Sequence, residues 1–128
     1  MAVIIQEVVG NQYNDHYYPS ISGVAQSYNF YPVSYMEPED GFAVAAVGLG
    51  MYVVGGEKAY RFCPKYPQIN TVGDHDTVRD SQKEFYAIDM DHTQFDLENG
   101  GENAAIRKMK ISFAEKDGVL QHCASVYD

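Results

Sequence analysis

The sequence predicts an α+β fold in which β-strands dominate and one short helix is present. Apolar and polar residues alternate with a period of two in several short runs, which is typical of half-buried strands. A Gly-x-Gly element at Gly48 to Gly50 joins one such run to a short helical segment, and an Asp-Gly pair at residues 117 and 118 separates two others. We therefore expect an antiparallel or mixed sheet. With 128 residues, the chain is long enough for one domain with its own core.

The first third of the chain contains three predicted strands. Ala2 to Val9 is apolar at successive positions, which predicts a strand buried on both faces in the centre of a sheet. Gly10 to Ser20 is polar, aromatic and rich in turn residues, and predicts a long loop. Strict alternation predicts a second strand from Ser22 to Tyr31, and Phe42 to Val47 is the third.

The glycines at 48 and 50 mark a tight strand-to-helix junction. We expect a helix of about one and a half turns over Met51 to Val54, which ends at Gly55-Gly56. Backbone N–H groups at such a junction are able to meet a phosphate, although the third glycine of a dinucleotide motif is missing and a sterically tight turn explains the pattern equally well. If Gly50 has a positive φ, we expect Gly50→Ala to destabilise the fold.

The second half of the chain is more polar. Glu57 to Phe62 and Phe85 to Ile88 predict short strands, separated by an exposed polar loop over residues 70–83. Another polar stretch covers residues 89–103. The alternation around Lys116-Asp117-Gly118 predicts a β-hairpin over about residues 107–127.

The net charge disfavours several classes of partner. Nine basic and eighteen acidic residues give a net charge of −9, which disfavours nucleic acid and anionic membrane surfaces. No apolar run approaches the ~20 residues of a membrane span. Cys63 and Cys123 form neither a disulfide framework nor a zinc site, and we expect reduced thiols and a cytoplasmic location.

Other polar and aromatic groupings allow two interpretations. Asp74 to Asp76 and Asp89 to His92 could supply hard-metal ligands, but such clusters in polar loops are more often solvated turns. His16 and His122 have no nucleophile at a defined spacing. The eleven tyrosines could form a stacking surface or fill the interior in place of tryptophan, and the acidic charge favours packing.

Four segments taken together resemble a known family. MAVIIQEVVG, SGVAQS, VGLGMYVVGG and YRFCPKYP follow one another in the order and approximate spacing of the ATP-grasp nucleotide-binding domain of phosphoenolpyruvate synthase and pyruvate phosphate dikinase. The resemblance covers residues 1–67, which we interpret as the core of the second ATP-grasp subdomain. Residues 68–128 are interpreted as an extension of the same domain. Strand-like sequence at both ends suggests a piece of a longer chain, and a small protein with tied terminal strands is the alternative.

The resemblance implies a reaction in which ATP, with magnesium, phosphorylates a histidine on a separate domain, and a barrel domain then converts pyruvate to phosphoenolpyruvate. It implies as partners ATP, the first ATP-grasp subdomain, the phosphohistidine domain and the barrel. The implied binding residues are the adenine hinge Gln6, Glu7, Val8 and Val9, the strand start Ser22 and Gly23, and the turn Gly48, Leu49 and Gly50.

Three residues depart from the family pattern E-A-x-W-G-L-G-E. Its glutamates fall on Val44 and Met51 and its tryptophan on Val47, and neither Val nor Met offers the oxygen ligands that magnesium prefers. Either other acids, at Glu37, Glu39 and Asp40, replace the missing ones, or the site has degenerated. The alternatives to an ATP-binding part are a degenerate module with an interdomain or regulatory role and a small tyrosine-rich binding module. We expect the isolated chain to be catalytically inactive.

Overall fold

The computed structural model describes residues 1–33, 36–67, 81–91 and 104–123. Within these ranges the chain has an α+β fold dominated by strands, as the sequence predicts. The strands are β1 (Asn11–Tyr13), β2 (His16–Tyr18), β3 (Ser22–Gln26), β4 (Phe42–Ala46), β5 (Tyr60–Phe62), β6 (Glu84–Asp89) and β7 (Ile106–Lys110). The α-helices are α1 (Met51–Val54) and α2 (Ile111–Lys116), and short 3-10 helices cover Pro38–Asp40 and Leu120–His122.

The strands form two antiparallel sheets. The first sheet has the order β1-β2-β6-β7, and the second has the order β3-β4-β5. In the second sheet Ser22 pairs with Ala46 and Gln26 with Phe42. This register brings the start of β3 next to the end of β4, where the chain enters the glycine turn.

The hydrophobic core lies between the first sheet and the C-terminal helices. Tyr18 and Phe85 are fully buried, and they pack with their ring centroids 4.7 Å apart. The buried residues of this cluster are Tyr18, Val47, Phe85, Ala87, Ala114 and Val119. Burial of a side chain as large as Phe85 contributes about 1.5–3 kcal/mol. Val47 also belongs to the core, so the chain segment just before the glycine turn is anchored in it.

Several predicted elements are confirmed. The third strand, the short helix after Gly50 and the strand around Phe85 are present as β4, α1 and β6. The second predicted strand and the one over Glu57 to Phe62 are shorter than expected, as β3 and β5. Within the described ranges, none of the helices has the length and apolar character needed to cross a bilayer. The clusters at residues 74–76 and at His92 lie outside the described residues, as do 124–128.

The predicted central strand over Ala2 to Val9 is wrong. These residues belong to neither sheet and are exposed, with Ile5 92% accessible. Their composition favours burial, but a strand also needs a neighbour that accepts its backbone hydrogen bonds. In the described part of the chain, no strand pairs with this segment.

The predicted loop over Gly10 to Ser20 is also wrong, because it contains the β1–β2 hairpin. Tyr13 faces His16 across a two-residue turn, and Asn14 has a φ of 55° in that turn. Asparagine is one of the few residues that tolerate this conformation. The strands have only three residues each, so alternation could not reveal them.

The predicted C-terminal hairpin is the third error. β7 leads directly into α2, and Asp117-Gly118 ends that helix instead of turning a hairpin. The N–H of Gly118 donates to the Glu115 carbonyl at 3.1 Å, and the N–H of Val119 donates to that of Ala114 at 3.0 Å. This pair of bonds is the Schellman motif, which requires the positive φ of 81° found at Gly118. The number of short α-helices is therefore two in the described ranges, not one.

Candidate functional site

Two of the three segments predicted to bind nucleotide lie side by side. The Ser22 hydroxyl donates a hydrogen bond of 2.7 Å to the carbonyl of Gly48. Gly50 faces the same serine, since a Cβ placed on Gly50 would lie 3.7 Å from the Ser22 Cβ. The start of β3, with Ser22 and Gly23, is therefore joined to the Gly48 to Gly50 turn. We call these five residues the serine–glycine site.

The turn itself is fixed against β6. Gly48 has a φ of 87°, and a Cβ there would lie 2.8 Å from the Tyr86 carbonyl oxygen and 2.9 Å from a ring carbon of Phe85. The N–H of Leu49 donates to the same Tyr86 carbonyl at 2.9 Å. Only glycine fits at position 48 without displacing β6.

Gly50 does not share this requirement. Its φ is −60°, in the ordinary helical region, and the nearest atom to an added Cβ lies at van der Waals distance. The condition of a positive φ is therefore not met at Gly50, and Gly48 is the constrained glycine. Sequence alone could not distinguish the two, because both stand in the same Gly-x-Gly element.

Several backbone N–H groups near the turn are engaged within the protein. Those of Tyr52 and Val53 donate to the carbonyls of Leu49 and Gly50, at 3.2 and 2.9 Å. Val54 donates to Gly50 at 3.2 Å. These groups form the single turn of α1 and so cannot also hold a phosphate. The Ser22 hydroxyl proton and the Leu49 N–H are also engaged, so donors from the serine–glycine site to a ligand would come from its remaining backbone N–H groups.

The third predicted segment, Gln6 to Val9, is exposed. The Tyr17 hydroxyl donates to the Val8 carbonyl at 2.8 Å, which connects the segment to the β1–β2 hairpin. The structure therefore joins the strand start and the turn, but the hinge residues stay outside both sheets.

Of the three acids considered as replacement magnesium ligands, Asp40 is used for local structure. Asp40 accepts a hydrogen bond from the backbone N–H of Glu37 at 2.8 Å and forms an ion pair with Lys65 at 3.0 Å. The hydrogen bond from Glu37 has the larger effect and the contact with Lys65 the smaller, and together they hold the pKa of Asp40 below its usual value. Within the described ranges, no group of three His, Cys, Asp or Glu side chains is arranged to hold a metal ion.

A buried polar cluster around His16 was not predicted. The imidazole, only 4% exposed, has Nδ1 3.1 Å from an Asp15 carboxylate oxygen and Nε2 3.2 Å from one of Asp117. The Tyr18 hydroxyl donates to the same Asp117 oxygen at 2.6 Å. Burial, followed by this hydrogen bond, raises the pKa of Tyr18. Asp15, His16 and Tyr18 are neighbours in the sequence, but Asp117 is 101 positions from His16, so no spacing signals the complete cluster.

Arg107 extends this cluster to the two neighbouring strands. Its guanidinium contacts Asp15 at 3.1 Å and the buried Asp89 at 2.8 Å. The hydrogen bond to His16, followed by that to Arg107, holds the pKa of Asp15 below its usual value. The cluster thus links the β1–β2 turn, the end of β6, β7 and the end of α2. Its groups are mutually paired, as expected for a buried structural network.

Comparison with known proteins identifies no relative of this chain. No family model matches the chain, and neither the curated proteins nor the solved structures contain a match. Functional inference therefore depends on the residues of this chain and on their arrangement.

Proposed function

We propose that this chain forms one wall of the ATP-binding region of a phosphoenolpyruvate synthase-like phosphotransferase. The supporting observation is the hydrogen bond between Ser22 and Gly48, 26 residues apart, because it joins two motif segments that the family resemblance assigns to one site. Neither segment is specific alone. Their order in the sequence and their contact in space are independent features, and both favour a shared role.

In this proposal, ATP contacts the serine–glycine site and the hinge Gln6 to Val9, while the opposing subdomain supplies cationic groups. A chain of net charge −9 has little positive charge to offer the phosphates. Magnesium and backbone N–H groups would neutralise them instead. The phosphoryl group would pass to a histidine on another domain, and a barrel domain would use it to make phosphoenolpyruvate from pyruvate.

A degenerate module with an interdomain role is the second candidate. The observation that favours it is the chemistry of the turn, where Val44 and Met51 replace acids and the N–H groups of α1 are already engaged. A tyrosine-rich binding module is the third. Tyr28 and Phe30 pack edge to face with centroids 4.9 Å apart, and Tyr31 is 83% exposed beside them.

Nuclear magnetic resonance titration of the 128-residue chain with Mg-ATP distinguishes these candidates. We expect a Kd weaker than about 1 mM, or less than ~4 kcal/mol of binding, since only one wall of the site is present. Amide shifts should concentrate at Ser22, Gly23, Gly48 to Gly50 and Gln6 to Val9. Magnesium with inorganic phosphate is the matched control.

Each outcome favours one candidate. Shifts at the serine–glycine site with Mg-ATP but not with magnesium phosphate support nucleotide binding. No shifts with Mg-ATP at about 20 mM contradict the proposal and favour the degenerate module. Shifts confined to Tyr28, Phe30 and Tyr31 favour the aromatic binding module.

A further inference from the structure

The loop that follows β3 presents three aromatic rings to solvent. Tyr28 is 45% exposed, Phe30 72% and Tyr31 83%, and the first two rings pack edge to face with centroids 4.9 Å apart. We call these three residues the aromatic loop. Aromatic side chains usually bury a large apolar area, so three exposed rings within four positions indicate a surface that a partner covers.

Asn29 holds the aromatic loop in shape. It is only 4% exposed, and its N–H donates to the Pro38 carbonyl at 2.7 Å. Its side-chain oxygen accepts hydrogen bonds of 3.0 Å from the Tyr31 N–H and from the Arg61 guanidinium. Arg61 in turn lies 3.8 Å from the centroid of the Phe42 ring. Because a buried amide with these contacts fixes the backbone, the outward position of the rings is preorganised.

Acidic residues lie beside the aromatic loop. The 3-10 helix that accepts the hydrogen bond of Asn29 contains Glu39 and Asp40 and follows Glu37. Lys65 forms an ion pair with Asp40 at 3.0 Å, whereas Glu37 and Glu39 are exposed. In a chain of net charge −9, these exposed carboxylates add to a field that attracts cations and repels anions.

The rings of the aromatic loop carry no cation from the described part of the chain. The cations described there that lie over a ring do so at four other positions: Phe42, Tyr66, Tyr86 and Phe113. The face of an aromatic ring attracts a Lys or Arg side chain, whose alkyl part also covers apolar ring surface. The aromatic loop therefore offers a partner both exposed ring surface and neighbouring negative charge.

We infer that the aromatic loop docks an extended, basic peptide segment of a partner protein. Cationic side chains of the segment would lie on the exposed rings and pair with Glu37 and Glu39. Because the rings and carboxylates extend from residue 28 to residue 39, they suit a segment with several cations better than a single small cation. The same carboxylates oppose an anionic membrane surface.

This inference does not depend on the proposed function, because no residue of the serine–glycine site or of the hinge Gln6 to Val9 takes part in it. It is drawn from exposed rings, a buried asparagine and local charge. Its test uses no nucleotide, so the two can fail separately.

The test is the binding of a fluorescein-labelled peptide to the full 128-residue chain, measured by fluorescence anisotropy. The peptide has about ten residues of alternating lysine and proline, since proline keeps it extended. The matched peptide has glutamate in place of lysine. We expect the lysine peptide to bind at least about tenfold more tightly, and its affinity to fall as salt is added.

Two pairs of variants locate the binding surface. Phe30→Ala combined with Tyr31→Ala should weaken binding of the lysine peptide at least about fivefold, because two ring contacts are lost. Phe113→Ala is the matched control, since its ring on α2 is also exposed but already carries Lys116, and it should leave the affinity unchanged.

For the charge, Glu39→Gln should weaken binding about twofold or more. Glu115→Gln makes the same change in net charge at an exposed position of α2 and should have no effect. Circular dichroism verifies that each variant is folded.

Equal affinity for the two peptides, or equal effects of the loop and α2 substitutions, would overturn the inference. Amide shift mapping of the unsubstituted chain gives a second measurement that no substitution affects. Shifts with the lysine peptide should concentrate at residues 28–31 and 37–40, and shifts confined to other residues would overturn the inference. Binding to phosphatidylcholine vesicles without binding of the lysine peptide would also overturn it and would assign the rings to a membrane surface.

Discussion

Tyr18 donates its hydroxyl to Asp117 across 2.6 Å, and this bond joins β2 to the end of α2. The tyrosine ring is fully buried against Tyr13 and Phe85, with centroids 4.9 and 4.7 Å away. Its apolar body thus belongs to the core, while its hydroxyl belongs to the polar cluster of His16. The two parts of the interior are held together by one side chain.

We therefore expect Tyr18→Phe to destabilise the fold although it preserves the ring. The variant leaves the largely buried Asp117 carboxylate with one hydrogen-bond donor fewer, which costs about 1–3 kcal/mol. Urea unfolding measures this loss. Tyr31→Phe is the matched control, because its side chain is 83% exposed, and it should stay within about 0.5 kcal/mol of the parent chain. Equal effects of the two substitutions would contradict the assigned role of the hydroxyl.

The pairing of Asp15 with His16 and Arg107 predicts an acid-dependent loss of stability. The pKa of Asp15 is lower in the folded chain than its ordinary value near 4, so its contribution is complete above that value. It disappears as the pH falls through the folded pKa, because the carboxyl then binds a proton and loses both partners. Stability measured between about pH 7 and about pH 2 should fall on the acid side.

Asp15→Asn isolates this effect. The difference in unfolding free energy between the parent chain and the variant should shrink as the pH falls, since the amide does not titrate. Glu39→Gln, at an exposed position, is the control and should retain the acid slope of the parent chain. Stability curves that stay parallel for the parent chain and Asp15→Asn would show that this carboxylate does not contribute to the slope.

The end of α2 gives a third prediction. Gly118 has a φ of 81°, and the nearest atom to an added Cβ is the Gln121 side-chain nitrogen at 3.8 Å, so only the backbone conformation opposes a side chain. Gly118→Ala should cost about 1 kcal/mol, and Gly118→Asn less, because asparagine tolerates this conformation better. Thermal unfolding of both variants measures the difference. Equal losses would indicate that a steric clash, not φ, determines the cost.

The elements that sequence predicted well are those specified by neighbouring residues. The β4–α1 junction is an example, because glycines mark the end of the strand and both ends of the helix. At the C-terminus the same local reasoning fails, since Asp117-Gly118 suits a hairpin turn as well as a helix end. Six residues of α2 are too few for their periodicity to distinguish a helix from a strand.

Elements that depend on partners distant in the sequence could not be predicted from the sequence alone. The apolar run at Ala2 to Val9 indicates a need for burial but does not identify a neighbouring strand. The His16 cluster depends on contacts across about a hundred positions, for which single residues carry no spacing signature. For the site, sequence named the members of the serine–glycine contact. Only the structure shows which glycine is constrained.

Gly48 and Gly50 together test both the fold and the proposed function. Gly48→Ala forces a Cβ into a left-handed backbone and against β6, so we expect a loss of about 2 kcal/mol or more in the free energy of unfolding. Gly50→Ala has an ordinary φ and adequate space, and should cost less than about 1 kcal/mol. Chemical unfolding of the two variants checks this order. Because Gly50→Ala keeps the fold while adding a methyl group beside Ser22, it should also abolish the Mg-ATP shifts at the serine–glycine site. Retained shifts in a stable Gly50→Ala chain would place any nucleotide contact elsewhere.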